Sequence, residues 1–124
     1  MKKILLFAIV ILQINFASAQ LNMSLLSQFS FPGSRGAVSD IWGYVDENGN
    51  EYAIVGLEEG VAIVDVTNPN FPNEVFYTAG ANTIWRDMKT WGDKAYITNE
   101  GDNGMMIIDM SPLPGSSSLS VTNY

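Results

Sequence analysis

The side chains able to do chemistry in this 124-residue chain are carboxylates, hydroxyls and one arginine held between a tryptophan and an aspartate. There is no His and no Cys. Without the commonest general base and the commonest metal ligands, no Ser-His-Asp, Cys-His or His/Cys zinc site can be built from these residues. Asp40 and Asp87 stand at matching places near the starts of two similar segments. As part of a ring, two such carboxylates would hold a cation or a polar ligand. As structural residues they would accept backbone N–H groups where a strand begins, and repeated positions usually serve the repeat. Asp65 and Asp109 each precede a hydroxyl residue and a Pro-containing loop, a setting that an Asx turn explains. Asp46–Glu51 and Glu100–Gly104 are oxygen-rich, but the first has its Gly out of place for a calcium loop and no closing Glu. Hairpin turns account for both, and no metal site is expected.

Trp85-Arg86-Asp87 is the sharpest candidate for recognition, since Trp beside Arg is a frequent hot-spot pairing. Arg86 is expected to be exposed there. The competing reading makes Arg86 and Asp87 a pair tying neighbouring sheets, with Trp85 packed between them. The binding candidates are therefore Asp40, Trp85, Arg86 and Asp87. No catalytic residue and no cofactor is expected. Trp42, Tyr44 and Trp91 are expected to pack between sheets.

These residues must be positioned by strands. Glu51–Pro69 (EYAIVGLEEGVAIVDVTNP) holds two Val/Ile-rich runs separated by Glu58-Glu59-Gly60, which reads as a hairpin. The second run, Val61–Val66, does not alternate with polar residues, so it needs cover on both faces. Further strands are expected at Ser39–Val45, Glu74–Ala79, Trp85–Trp91, Lys94–Thr98, Gly104–Met110 and Leu119–Tyr124. Asn48-Gly49 signals a two-residue type I′ turn. Residues 20–38 alternate around Leu25, Phe29 and Phe31 and read as a short first strand and a loop.

Residues 1–19 read as a signal peptide. Lys2-Lys3 precedes the apolar run Ile4–Leu12, and Ala17-Ser18-Ala19 fits the cleavage pattern. The run is short of the ~20 residues that span a bilayer, so no stable membrane span remains after cleavage. The expected address is secreted or at the cell surface. Cleavage changes the formal charge from −7 to −9, thirteen acids against four remaining bases. That surface disfavours nucleic acid and anionic membranes as partners.

The pattern repeats. Asp40 aligns with Asp87, Ala53 with Ala95, Gly60 with Gly104, Ile63 with Ile107 and Asp65 with Asp109, at offsets of 42 to 47 residues. Each unit supplies about four short strands, the signature of propeller blades with a period of roughly 40–50 residues. An ordinary β-sandwich has no need for matched positions. The expected fold is all-β, a partial β-propeller of about two four-stranded blades after the signal peptide. Residues 20–38 precede blade one (about 39–80) and blade two (about 84–124). Propellers close with ~4–8 blades. Closure thus calls for remaining blades or for self-association.

The stretches SDIWGYVDENGNEYAIVGLEEGVAIVDVTNP and TIWRDMKTWGDKAYITNEGDNGMMIIDMSPLP resemble the choice-of-anchor B family of secreted bacterial proteins with LVIVD-type propeller repeats. Val61–Val66 and Met106–Met110 correspond to the repeat cores, Ser39–Gly43 and Trp85–Lys89 to the blade-opening strands. The resemblance spans residues 39–114. It implies an exported or surface-held propeller with further blades and no established reaction. The expectation is a non-enzymatic module that binds an extracellular protein or glycan. The alternative is the N-terminal part of a propeller enzyme, a metal-dependent hydrolase or lactonase-like protein, with catalytic residues beyond Tyr124. A purely structural repeat of an extracellular layer is the third possibility.

Overall fold

The computed structural model describes residues 23–101 and 104–124. Residues 1–22, which include the expected signal peptide, and part of the Glu100–Gly104 loop lie outside the described residues. Eight strands follow in order: β1 (Val38–Val45), β2 (Glu51–Leu57), β3 (Gly60–Asp65), β4 (Asn73–Ala79), β5 (Arg86–Trp91), β6 (Lys94–Asn99), β7 (Met106–Asp109) and β8 (Ser120–Asn123). They form two antiparallel four-stranded sheets, β1-β2-β3-β4 and β5-β6-β7-β8. Every strand pairs with its neighbour in sequence, so each sheet is a meander that forms one blade.

The register agrees with the sequence repeat. Ala53 pairs with Val64 and Tyr52 with Asp65 in blade one. Ala95 pairs with Ile108 and Lys94 with Asp109 in blade two. The period of two then sorts each strand into faces. Tyr52, Ile54, Val61 and Ile63 meet Met88, Ala95, Ile97, Met106 and Ile108 in one core between the blades. Ala53, Val55, Leu57, Ala62 and Val64 form a second cluster on the other side of blade one. β2 and β3 are thus buried on both faces, as their unbroken apolar runs require. Ile54, Ile63, Ile97 and Ile108 are fully buried, each worth about 1.5–3 kcal/mol of transfer free energy.

Among the described residues the N-terminal segment forms no strand before β1. Residues 23–32 lack regular structure, and a 3-10 turn at Gly33–Arg35 leads into β1. The segment crosses the outward face of blade one, where Phe31 packs on the second cluster. Over a sheet face it meets side chains and no free strand edge, so a ladder cannot form.

The β1–β2 turn is also longer than expected. Gly49 N–H donates to the Asp46 carbonyl (3.1 Å) and Asp46 N–H to the Asn50 carbonyl (3.0 Å). Gly49 takes φ 83°, the left-handed residue of a three-residue loop, in place of a two-residue type I′ turn. The Asp46 carboxylate accepts the N–H of Asn48 (2.8 Å) and of Asn50 (2.9 Å), plus the Asn50 amide (2.8 Å). These bonds, led by the Asn50 side chain, hold its pKa below the ordinary carboxylate value.

Of the three aromatics expected between blades, only Tyr44 is buried. Its hydroxyl donates to Asp93 at 2.8 Å, and its ring stacks on Tyr52, 5.9 Å between centroids. Trp91 is 80% exposed because the alternation along β5 turns it outward with Asp87 and Lys89. Trp42 is half-open; its indole N–H donates to Thr90 (3.1 Å), and the Lys89 ammonium sits 4.1 Å from the ring centroid.

Burial, helped by the Asp93 and Asp46 carboxylates, raises the Tyr44 pKa, and burial pushes Tyr52 up to about 12. Unfolding lets both ionise at their ordinary values near 10. Their contribution is therefore intact below pH 10 and lost as pH climbs from 10 through 12. The melting temperature should fall over that window. Tyr44→Phe and Tyr52→Phe should each flatten the alkaline limb in pH-resolved thermal melts, and an unchanged limb would refute this assignment.

Candidate functional site

The strand order places β1 and β5, the first strand of each blade, side by side. One end of both sheets then gathers the starts of β1 and β5, the Glu58-Glu59 turn, the Gly80–Trp85 link and the connection after Glu100. All four sequence candidates sit on this rim.

Arg86 is not an exposed recognition residue. It is 6% exposed, because alternation along β5 points it inward with Met88. Its Nε–H donates to the Leu57 carbonyl (2.8 Å), and Nη2 donates to the carbonyls of Glu58 (3.3 Å) and Ala81. Nη1 has no hydrogen-bond partner among the described residues. Burial pulls the Arg86 pKa below its ordinary value. The guanidinium thus ties blade two to the backbone of the β2–β3 turn and of the inter-blade link. It joins the blades, as the competing reading required, but through carbonyls and not through Asp87. Gly56 makes the close approach possible: a Cβ there would lie 2.5 Å from Ser39 Oγ and 3.4 Å from the Arg86 Cβ.

Asp87 points the other way and pairs with Lys89 at 2.8 Å, which holds its pKa below the ordinary value. It remains an ionised acceptor and is a poor general acid. Asp40 accepts the Met88 N–H at 3.3 Å, across from blade one to the unpaired edge of β5. Asp65 and Asp109 close Asx turns onto the N–H groups of Thr67 (2.9 Å) and Ser111 (3.1 Å). Asp109 also pairs with Lys94 at 2.9 Å, which drives its pKa to about 2.

Trp85 precedes β5 and does not pack between sheets; it is 64% exposed, beside Ile84 at 47%. Its N–H donates to Thr83 Oγ1 (3.1 Å), and its carbonyl accepts the Glu100 N–H (3.2 Å), which fixes the backbone under the ring. The ring walls a cleft of about 380 Å³ with Arg86, Asp87, Thr98, Asn99 and Glu100. A neighbouring hollow of about 360 Å³ adds Ser39, Asp40 and Ile84. Thr98 and Asn99 were not singled out from sequence, and Glu100 was considered only as part of an oxygen-rich loop. Their one signal is the change from apolar to polar residues after Ile97.

The rim offers a stacking surface, ionised carboxylates and amide groups. That set is chemically suited to stacking and hydrogen bonding. Among the described residues no group of three or more acidic side chains is placed to hold a metal ion. No helix among them is long and apolar enough to cross a membrane.

Residues 35–79 and 86–121 match the LVIVD repeat, one match per sheet and together well over half of the chain. The chain belongs to the LVIVD-repeat family. No curated protein and no solved structure matches it. In this LVIVD-repeat chain the repeat core Val61–Val66 falls on β3 and the repeat core Met106–Met110 on β7. The matched residues include Asp40, Arg86, Asp87, Thr98, Asn99 and Glu100 of the rim, while Trp85 lies in the link between the two matches.

Proposed function

We propose that this LVIVD-repeat chain is a secreted or cell-surface β-propeller module of the choice-of-anchor B kind, which binds an extracellular protein or glycan and catalyses no reaction. The carrying observation is Trp85. A large, mostly exposed ring is held by backbone hydrogen bonds above a cleft whose other walls are hydrogen-bonding groups. Aromatic faces flanked by carboxylate and amide groups suit a sugar ring or a protein side chain equally well. Export is supported by the Lys2-Lys3, apolar-run and Ala-Ser-Ala sequence pattern.

The test is binding of the full chain to an array of soluble glycans and extracellular protein fragments, followed by titration with intrinsic tryptophan fluorescence. Trp85→Ala should weaken the strongest interaction about tenfold or more, the scale of a hot-spot truncation. The far-ultraviolet circular dichroism should not change. Binding that survives Trp85→Ala at full strength would move the site elsewhere. A chain that binds nothing on either array would remove the reading.

A further inference from the structure

The outward face of blade one is covered by the chain's own residues 27–37. Ser27 Oγ donates to the Pro69 carbonyl. Phe31 packs on the cluster of Val55, Leu57, Ala62 and Val64. The Arg35 guanidinium lies 3.8 Å from the Tyr77 ring centroid and pairs with Glu74. Two backbone bonds seal the end of the cover, Glu59 N–H to Arg35 O (3.1 Å) and Glu58 N–H to Ala37 O (2.8 Å).

The repeat register tells what that face is made for. Ala53, Val55, Ala62 and Val64 are equivalent to Ala95, Ile97, Met106 and Ile108. In blade two those positions are buried against blade one. The outward face of blade one is therefore a blade-docking face, and residues 27–37 lie where a preceding blade would. By the same register, Lys94, Tyr96 and Ile107 on the open face of blade two are equivalent to Tyr52, Ile54 and Ile63, which receive the next blade. Blade two of one copy thus matches the outward face of blade one in another. The interface inside the molecule is the template for a head-to-tail contact between molecules.

We propose that residues 27–37 are a built-in cap that keeps a second copy of this chain from stacking, through its blade two, on blade one. The cap reaches across β2, β3 and β4 and leaves Ile41 and Val45 of β1 about 60% exposed. Those two residues give an incoming blade a first contact from which to displace the cap. Without the cap a heterologous contact of this kind adds copies head to tail, into a ring where the blade-to-blade rotation closes or into an open chain where it does not.

The experiment is sedimentation velocity of the full chain over a concentration series. Arg35→Glu sets two carboxylates against each other and should release the cap. Its weight-average mass should rise roughly twofold or more above the wild-type value as concentration increases. The charge swap Arg35→Glu with Glu74→Arg should restore the wild-type mass. Adding Ile107→Asp to Arg35→Glu should also abolish the growth, because it spoils the blade-two face; aggregation of a misfolded chain would not respond in this way. Phe31→Ser releases the cap by a different route and should behave as Arg35→Glu does. Masses equal to wild type in both cap variants would overturn the proposal. So would growth that ignores Ile107→Asp.

Discussion

Arg86→Ala should destabilise the folded chain by about 2–4 kcal/mol, read from urea denaturation. Hydrogen bonds to a charged donor contribute about 1.5–3 kcal/mol each when one partner is removed. Arg86 makes three, to the carbonyls of Leu57, Glu58 and Ala81. Two terms pull the total below their sum. The wild type carries the cost of a desolvated guanidinium, seen in its lowered pKa. Glu58 O also keeps the N–H of Thr83. Arg86→Lys should recover only part of the loss, because an ammonium cannot reproduce the planar fork that reaches carbonyls on two segments. A loss under about 0.5 kcal/mol, the size of an ordinary surface substitution, would show that the clamp contributes nothing to stability.

Ile97→Ala should cost about 2–5 kcal/mol, the range for deleting a buried aliphatic side chain with partial relaxation around the cavity. Ile97 has no exposed surface and belongs to the cluster shared by both blades. A domain of this size has roughly 5–15 kcal/mol of net stability, so the variant should lose a large share of it. The distinctive outcome concerns blade one. Because Tyr52, Ile54 and Ile63 share the cluster, amide exchange should accelerate in β2 and β3 as well as in β6 and β7. Acceleration confined to blade two would mean that the blades unfold independently, and the inter-blade core would then carry little of the stability.

The repeat was the most legible feature because a meander blade places equivalent residues at equivalent registers. Ala53 with Ala95 and Asp65 with Asp109 were visible as letters before they appeared as paired positions. The Asx turns at Asp65 and Asp109 were equally readable, since the bond spans only two residues. The candidate site was legible in its place and less so in its parts. Trp85, Arg86 and Asp87 are consecutive, and strand alternation sends Arg86 inward and Asp87 outward. Trp85 sits just before the strand, so no sheet covers it. The N-terminal segment misled for a related reason: alternation around Leu25, Phe29 and Phe31 suits a strand, but a strand needs an edge to pair with. Trp91 was expected inside on its size alone, although its parity along β5 with Asp87 already pointed outward.

By itself the sequence determined the all-β class, the hairpin order and the two-blade repeat, because these follow from local patterns of two to about fifty residues. It also set the acidic charge and ruled out His and Cys chemistry within these residues. Tertiary structure decided which partner each exposed or buried group would find. Arg86 chose three carbonyls over Asp87, Lys89 took Asp87, and Phe31 and Arg35 found the outward face of blade one. The Arg86–Glu58, Arg86–Leu57 and Arg35–Glu74 pairings join residues 28 to 39 positions apart, and the others depend on which face a strand or link turns to its neighbour. Local residue patterns leave such long-range choices open, and only the packing of one blade against the other, with the cap across the first, makes them definite.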